Sequence, residues 1–246
     1  MVSSTNSITA IVLCGGLGTR LRSVSRSLPK PMVPVANRPF LEYILDYLIV
    51  QGVVRVVLAV SYKKEIIIEH FGSKYRNLAI SYSIESNPLG TGGAVKKAIE
   101  QIIPCPEQLI LIINGDTFVE YSLSDMVSKC KEKHADFVMA LKDMDDTSRY
   151  GRVKVEHHNI TEFEEKKSGY KGLINAGIYL FHPSLYKAFP KSDTFSFEND
   201  FLESFIRNHD VQPSISDGYF IDIGVPEDYQ KAQEDFEYTN LAWKAP

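Results

Sequence analysis

The sequence predicts an α/β fold in which a mostly parallel sheet is flanked by helices. Apolar, β-branched runs such as Val53–Val60 alternate with segments of helical periodicity such as Pro39–Gly52, and this alternation is typical of doubly wound sheets. The apolar runs are nearly continuous, as strands buried on both faces require. The length of 246 residues allows one large domain or two small ones. We therefore expect a Rossmann-like arrangement.

Each predicted element has its own pattern. Helices end at glycine or begin at proline, and Thr91 is expected to cap the helix that follows it. The predicted strands are Ile8–Leu13, Val53–Val60, Leu78–Ile84, Gln108–Ile113, Asp136–Leu141, Gly151–Glu156, Ile160–Glu164, Ile174–Phe181 and Tyr219–Ile223. The predicted helices are Pro39–Gly52, Lys63–Phe71, 91–102, Leu123–His134, Phe197–Arg207 and Pro226–Phe236.

The chain has no linker-like segment, so we expect a single domain of two halves, 8–142 and 143–236. The short runs between 151 and 181 alternate in polarity, which predicts an antiparallel extension in the second half. A tail at 237–246 holds the only tryptophan, Trp243, and is a candidate contact with the body or with a partner subunit of a homo-oligomer.

Composition excludes several classes of protein. The net charge of −4 and the pI of about 5.9 argue against a nucleic-acid partner. Cys14, Cys105 and Cys130 are too few and too scattered for a disulfide framework or a zinc site. The first residues lack a signal-peptide pattern, and no apolar run reaches the length of a membrane span. We expect a cytoplasmic protein with no membrane partner.

A glycine-rich loop follows the first predicted strand and contains Gly15, Gly16 and Gly18. Glycines let backbone N–H groups approach a ligand, and a turn of exposed N–H groups attracts anions. Arg20 and Lys30 add a guanidinium and an ammonium to the same stretch. The loop therefore predicts a site for a nucleoside triphosphate. It is neither a Walker A loop nor a dinucleotide fingerprint, so its spacing alone is also compatible with an ordinary turn.

The complete string around this loop resembles the signature of the sugar nucleotidyltransferases, which join a sugar 1-phosphate to a nucleoside triphosphate and release pyrophosphate. The residues that carry the resemblance are Gly15, Gly16, Gly18, Thr19, Arg20, Leu21, Pro29, Lys30 and Pro31. Many members have a proline and a threonine shortly after the Arg-Leu pair, where this chain has 22–25, RSVS. That variant is similar to the branch that makes GDP-activated heptose.

The resemblance also implies a nucleotide site. The segment 85–93, ESNPLGTGG, resembles the nucleobase loop of the family, with Glu85 where pyrimidine-using relatives have Gln. A carboxylate only accepts hydrogen bonds, and guanine offers neighbouring N1–H and N2–H₂ donors. We therefore expect Glu85 to read guanine, although a solvated loop glutamate is the alternative. The expected nucleotide-binding residues are Leu13, Gly15, Gly16, Gly18, Thr19, Arg20, Lys30, Glu85, Gly90 and Thr91.

Asp116 and Asp222 are the expected ligands of Mg²⁺. Both lie in tracts that resemble the metal-binding segments of the family, and Mg²⁺ is usually held by one or two carboxylates together with substrate phosphates. Asp222 stands among apolar neighbours, where a charge needs a partner. The alternative for Asp116 is a turn cap.

Three further segments resemble the sugar-phosphate site of the family. The residues that they and the Asp116 tract contribute are Gly115, Tyr150, Gly151, Glu165, Lys166 and Asn175. Lys166 is expected to hold the phosphate of the sugar, although the charged run 162–167 could equally be a solvated face. Arg149 and Arg152 flank the same loop.

The expected reaction is a direct in-line attack, because a sugar 1-phosphate oxygen is already an anion and needs no covalent nucleophile. The expected catalytic residues are Arg20, Lys30, Asp116, Lys166 and Asp222, acting on GTP and a heptose 1-phosphate. The sequence leaves open a mannose 1-phosphate guanylyltransferase, a uridylyl- or thymidylyltransferase, and a non-catalytic subunit that senses sugar nucleotides.

Other candidate motifs point elsewhere. Asp143 and Asp145 form a D-x-D motif of the kind that glycosyltransferases use for a metal, but their stretch is very polar and predicts a solvated loop. His157 and His158 lie at a predicted hairpin turn without further ligands at metal-binding spacing.

Overall fold

The structure is a computed structural model that describes residues 8–16, 21, 28–102, 108–132, 135–164 and 171–238. Five residues of the expected site, Gly18, Thr19, Arg20, Glu165 and Lys166, lie outside these ranges, as do Cys105 and Trp243. Among the described helices, none is both long enough and apolar enough to cross a bilayer.

One ten-stranded sheet runs through the described chain. Its strands are β1 (Ile8–Leu13), β4 (Arg55–Val60), β5 (Lys74–Tyr75), β6 (Leu78–Ile84), β7 (Leu109–Asn114), β9 (Phe137–Met144), β10 (Arg152–Glu156), β11 (Asn159–Glu164), β12 (Gly172–Phe181) and β13 (Val211–Ser216). The order along the main path is β11-β10-β12-β7-β1-β4-β6-β5, and β9 pairs with β12 and β13.

The middle of the sheet is parallel. β7, β1, β4 and β6 are parallel neighbours, and β12 then pairs antiparallel with β7, β9 and β10. Two small antiparallel pairs stand apart from the sheet: β2 (Pro34–Val35) with β3 (Arg38–Pro39), and β8 (Thr117–Val119) with β14 (Phe220–Asp222). The expected mostly parallel sheet with an antiparallel extension is confirmed.

Helices cover both faces of the sheet. They are α1 (Phe40–Val50), α2 (Lys64–Phe71), α3 (Gly90–Glu100), α4 (Leu123–Glu132), α5 (Glu203–Ile206) and α6 (Pro226–Tyr238). One core joins Ile8, Ala10 and Val12 of β1 to apolar residues of α1, α2, α4 and α6. The other core joins Ile11 to α3 and to the helical segment that ends in α5. The alternation of strand side chains thus supplies both cores.

Several sequence predictions need correction. Thr91 does not cap α3, because Leu89 occupies the N-cap position without a side-chain hydrogen bond and Gly90 is already helical. Helix α1 begins at Phe40 rather than Pro39. The helix predicted over Phe197–Arg207 opens as a wide π-type turn, Phe197–Leu202, before α5. Asp143 belongs to β9 rather than to a loop.

Candidate active site

A cleft of about 340 Å³ lies at the carboxyl ends of the parallel strands. Each of four neighbouring strands contributes to its wall through the residues at or just after its end, as expected for a parallel α/β sheet. These residues are Leu13 to Gly16 after β1, Ser61 after β4, Glu85 after β6, and Asn114 and Asp116 after β7; Lys30, Pro31, Pro88, Gly90, Thr91 and Ala94 complete the lining.

Close backbone packing builds the floor of the cleft. The Gly115 N–H donates to the Leu13 carbonyl oxygen over 3.0 Å, and a methyl group at Gly115 would lie only 2.5 Å from that oxygen. Gly115 therefore lets the two strand ends meet, and its packing role is separate from the expected contact with the sugar phosphate. The strand ends in turn place Asp116 beside the residues that follow β1.

The Lys30 ammonium lies between two carboxylates. Its Nζ atom is 2.6 Å from Asp116 Oδ2 and 3.5 Å from Asp222 Oδ1. The Lys30 side chain is 8% exposed, whereas the Asp116 side chain is 40% exposed and so faces the cleft. Asp222 is fixed further by the Gly224 N–H, which donates to Oδ1 over 2.8 Å. Three residues that are remote in sequence thus form one charged cluster.

The pair of carboxylates fits a hard divalent cation. Burial and the neighbouring Asp116 charge raise the pKa of Asp222, and Lys30 opposes this increase. The two carboxylates therefore repel each other and gain from a cation between them. The described residues contain no group of three or more acidic, histidine or cysteine side chains at metal-binding distances. Two carboxylates suit Mg²⁺, which completes its octahedron with water and substrate oxygens.

Glu85 is buried at the base of the cleft. Its Oε2 accepts a hydrogen bond from the Leu89 N–H over 3.2 Å, and a methyl group at Gly15 would lie 3.0 Å from its Oε1. Glycine at position 15 therefore leaves room for this carboxylate. Burial raises the pKa of Glu85, while the Leu89 N–H and the charge of Lys97 oppose the increase.

Cys14 also lines the cleft, but its thiol is unsuited to nucleophilic chemistry. The residue is 1% exposed, and burial together with the Asp116 charge raises the pKa of the thiol far above its ordinary value. The thiolate is the nucleophilic form of cysteine. The protonated Cys14 is therefore a packing residue at the end of β1.

Asn175 lies on the long strand β12, which pairs with β7 of the cleft wall. Its Nδ2 donates to the Tyr179 hydroxyl over 2.7 Å, and its Oδ1 accepts from the Gly177 N–H over 2.9 Å. Gly177 has a φ of +73°, and a methyl group there would lie 2.4 Å from Asn114 Nδ2. Gly177 of β12 thus packs against Asn114 of the cleft, and Asn175 is hydrogen-bonded to Gly177.

Tyr150 lies near the charged cluster through its contact with β14, the strand that ends at Asp222. Its ring packs edge-on against Phe220, with 5.7 Å between centroids, and Phe220 lies two residues before Asp222. Arg149, next to it, forms an ion pair with Asp228 over 2.6 Å. The half-buried Gly151 follows Tyr150. These residues therefore flank the cluster on the side of β14.

The structure thus brings most of the described expected residues together. Leu13, Gly15, Gly16, Lys30, Glu85, Gly90, Thr91 and Asp116 line one cleft, and Asp222 joins them through Lys30. Sequence reasoning missed Ser61 and did not select Asn114 as a site residue. A polar residue directly after a buried parallel strand was the available signal for Ser61.

A larger cavity, of about 550 Å³, lies between β13 and the turn of the β10–β11 hairpin. His157 and His158 border it and adopt positive φ, which confirms the predicted hairpin turn. Its acidic residue Asp125 accepts hydrogen bonds from Lys129 and Ser214. Asp143 and Asp145 both contact Lys171 instead of facing a cavity. We place the chemistry in the smaller cleft, because only that cleft carries the Lys30 cluster.

Known proteins resemble this chain over nearly its full length. Residues 9–239 match the family described as Nucleotidyl transferase. A D-glycero-alpha-D-manno-heptose 1-phosphate guanylyltransferase of Aneurinibacillus thermoaerophilus is 45% identical over 229 residues, which cover 93% of this chain and 98% of the relative. Its counterpart in Campylobacter jejuni is 46% identical over 221 residues, which cover 89% and 96%.

A solved structure matches the fold equally well. The crystal structure of HddC from Yersinia pseudotuberculosis complexed with GMP-PN superposes with a TM-score of 0.81 and 38% identity. The match covers 93% of this chain and 99% of that one. Sequence and structure comparisons therefore agree over the whole region that builds the cleft.

Proposed function

The chain belongs to the nucleotidyl transferase family, and on this premise we propose that it transfers GMP from GTP to D-glycero-α-D-manno-heptose 1-phosphate. The products are GDP-heptose and pyrophosphate. The observation that carries the proposal is the Lys30 ammonium held between Asp116 and Asp222 in the cleft that also contains buried Glu85. The names of the relatives from Aneurinibacillus and Campylobacter support the choice of GTP and of the heptose.

The reaction joins two polyanions, so charge neutralisation and alignment dominate its barrier. An oxygen of the sugar phosphate attacks the α-phosphorus of GTP, and the bond to the leaving pyrophosphate breaks. Lys30 offsets the charge on the phosphates at the floor of the cleft. The Gly15 and Gly16 backbone lets the triphosphate approach closely. Arg20 and Lys166, outside the described residues, are proposed to bind the pyrophosphate and the sugar phosphate.

Asp116 and Asp222 would hold Mg²⁺. A bound Mg²⁺ neutralises phosphate charge and orients phosphate oxygens. Within the protein, the carboxylates of Asp116 and Asp222 both contact the Lys30 ammonium, and the Gly224 N–H fixes that of Asp222. Lys30 is the neighbouring cation that the bound phosphates would share.

Glu85 is proposed to select guanine. Its ionised carboxylate accepts from the N1–H and N2–H₂ groups of the base, which uracil and thymine cannot offer together. The Leu89 N–H holds the carboxylate in place.

The halves 8–142 and 143–236 are proposed to bind the nucleotide and the sugar phosphate, respectively, within one domain.

The test is an assay of pyrophosphate release with Mg²⁺. It pairs GTP, ITP, ATP, CTP, UTP and dTTP with D-glycero-α-D-manno-heptose 1-phosphate, mannose 1-phosphate and glucose 1-phosphate. We expect release chiefly from GTP with the heptose phosphate. Release from UTP or dTTP with a hexose phosphate would overturn the proposed specificity. No release from any pair, together with tight binding of a GDP-sugar, would favour a regulatory subunit.

The same assay tests Glu85. Hydrogen bonds to charged groups contribute about 1.5–3 kcal/mol, so Glu85→Gln should reduce the GTP over ITP preference by roughly 10-fold or more. Because burial raises the pKa of Glu85, the wild-type preference should fall as the pH is lowered toward that pKa and the carboxylate gains a proton. The ratio of GTP to ITP cancels the titration of the triphosphate. An unchanged preference in Glu85→Gln would contradict this assignment.

A further inference from the structure

The Glu198 carboxylate accepts hydrogen bonds from three hydroxyl groups. It lies half-buried in the turn Phe197–Leu202. Its Oε2 accepts from Thr91 Oγ1 over 2.8 Å and from Ser196 Oγ over 3.3 Å, and its Oε1 accepts from the Tyr179 hydroxyl over 3.4 Å. One carboxylate thus contacts a residue of the nucleotide cleft and a residue of β12.

The hydrogen bond between Glu198 and Thr91 links Glu198 to the nucleotide cleft, and we call it the nucleotide arm. Its hydroxyl proton goes to Glu198, and its oxygen accepts from the Phe197 N–H over 2.9 Å. A threonine hydroxyl has one proton to donate. The Thr91 side chain therefore has no remaining proton to donate to a nucleotide. It holds the first turn of α3 against the turn that contains Glu198.

The hydrogen bonds between Glu198 and Tyr179 and between Tyr179 and Asn175 lead toward the expected sugar-phosphate site, and we call them the sugar arm. Tyr179 is completely buried, and its hydroxyl accepts from Asn175 Nδ2 while it donates to Glu198. Burial and the Glu198 charge raise the pKa of Tyr179, so the hydroxyl keeps its proton. On the far side, Asn175 Oδ1 accepts from the Gly177 N–H. Each group in this chain has its direction of donation fixed.

The Glu198 carboxylate and the Gly177 N–H together set that direction. A carboxylate cannot donate, so the single phenolic proton of Tyr179 points to Glu198. The Tyr179 oxygen must then accept, and Asn175 must present its NH₂ group to it. The Asn175 carbonyl oxygen is thereby turned to Gly177, which agrees with the observed hydrogen bond. The Gly177 N–H requires the same direction from the other end, so a neutral amide at position 198 would weaken the hydrogen bond from Tyr179 and remove one of the two groups that fix the Asn175 amide.

From this geometry we propose that Glu198 is a positioning residue for both substrates. It orients the Asn175 amide for the sugar phosphate through Tyr179, and it holds Thr91 at the wall of the nucleotide cleft. The inference rests on the proposed function for the identity of the two ligands. Glu198 acts in this proposal through Thr91 and Tyr179 and not by contact with a phosphate.

The test separates the two arms with three substitutions in the full chain. Tyr179→Phe removes the sugar arm only, Thr91→Val removes the nucleotide arm only, and Glu198→Gln disturbs both. Calorimetric titration with GTP alone and steady-state kinetics with the heptose phosphate give separate readouts. The control is Glu203→Gln, which lies in the adjoining helix and is paired only with exposed Arg207 in the described contacts.

We expect Tyr179→Phe to raise KM for the sugar phosphate about 10-fold, with GTP affinity and kcat nearly unchanged. Thr91→Val should weaken GTP binding severalfold and leave the sugar KM unchanged. Glu198→Gln should show both effects, and adding Tyr179→Phe to it should not raise the sugar KM further, because residues in one network are not additive. Glu203→Gln should match the wild type.

Two results would overturn the inference. One is wild-type KM values and GTP affinity in Glu198→Gln. The other is an additive effect of Tyr179→Phe and Glu198→Gln on the sugar KM, which would mean that the two act independently. If the wild type turns over no sugar phosphate, the proposed function fails instead, and a change of GTP affinity in Glu198→Gln and Thr91→Val still tests the nucleotide arm. If Glu198→Gln does not fold, Tyr179→Phe and Thr91→Val test the inference. It would be refuted if Tyr179→Phe changed the affinity for GTP but not the sugar KM, or if Thr91→Val changed the sugar KM but not the affinity for GTP.

Discussion

Asp116 and Asp222 lie on either side of the Lys30 ammonium, although they are separated from it by 86 and 192 residues in sequence. No local pattern could have predicted this distance, because it depends on how β7 and the pair β8–β14 meet. The residue types, in contrast, follow from chemistry that needs oxygen ligands and a cation near phosphates. The sequence therefore indicates which side chains take part, and the fold brings them together.

Asp116→Asn should lower kcat by about 10²–10³-fold, because such a loss is typical when an electrostatic group at a reacting centre is removed. Asp145→Asn is the matched control, since it removes the same charge from a side chain that is 97% exposed and bonded only to Lys171 in the described contacts. Its activity should equal that of the wild type. The measurement is steady-state pyrophosphate release at saturating Mg²⁺, with melting curves to confirm folding. Equal losses in the two variants would contradict the proposed role of Asp116.

At the level of elements, the start of α3 illustrates what the sequence could not predict. The resemblance of the segment 85–93 to a nucleobase loop predicts a nucleotide-binding role for Gly90, and Gly92 and Gly93 fall in the predicted helix 91–102. The structure gives them a second role, because Gly92 packs on the Phe195 ring and the Gly92 N–H donates to the Phe195 carbonyl oxygen over 3.0 Å. A methyl group at Gly92 would lie 2.1 Å from that ring. Contacts between distant segments of this kind leave no periodic signal.

Gly92→Ala should therefore displace the segment around Phe195 and the first turn of α3, which lines the cleft. Overpacking of a dense interior typically costs about 1–3 kcal/mol, so we expect a lower melting temperature and weaker GTP binding. Phe195→Ala in the same chain removes the clash, and the double variant should be less destabilised than the sum of the single variants. Chemical denaturation and calorimetry provide the measurements. Additive losses would show that the ring and the glycine do not contact each other.

The strand β13 was missed for a related reason. Its sequence, VQPSIS, is only weakly apolar and contains Pro213, and a proline within a run argues against a central strand. β13 pairs only with β9 among the described strands and so can accommodate the proline at an edge. The buried parallel strands β1, β4 and β7, in contrast, were predicted to within two residues, because burial on both faces demands an apolar run.

At the level of the whole molecule, one sheet joins the two halves of the chain. Strand β12 pairs with β7 of the nucleotide half and with β9 and β10, and its register shifts between Asn175 and Tyr179. Gly177, with positive φ, lies within that irregularity and packs beside Asn114. The two proposed substrate sites are therefore built on one rigid framework. Alternation along the chain predicted the sheet, but it could not predict the shared strand.

A shared framework of this kind favours direct reaction between two bound substrates. The cleft offers no activated nucleophile among its described residues, since the Cys14 thiol is buried and protonated. We therefore expect a single displacement at the α-phosphorus of GTP. A single in-line displacement inverts the configuration at phosphorus, whereas two successive displacements through a covalent guanylyl-enzyme restore it.

The most direct test of this central claim is the stereochemical course of the reaction with GTP that carries a chiral α-thiophosphate. The α-thio GDP-heptose product, which retains the chiral phosphorus of the GTP analogue, would be analysed by phosphorus NMR to assign its configuration. We predict inversion at the α-phosphorus. Retention would contradict the direct displacement, because it would require a covalent intermediate and hence an activated nucleophile, which the described residues of the cleft do not include.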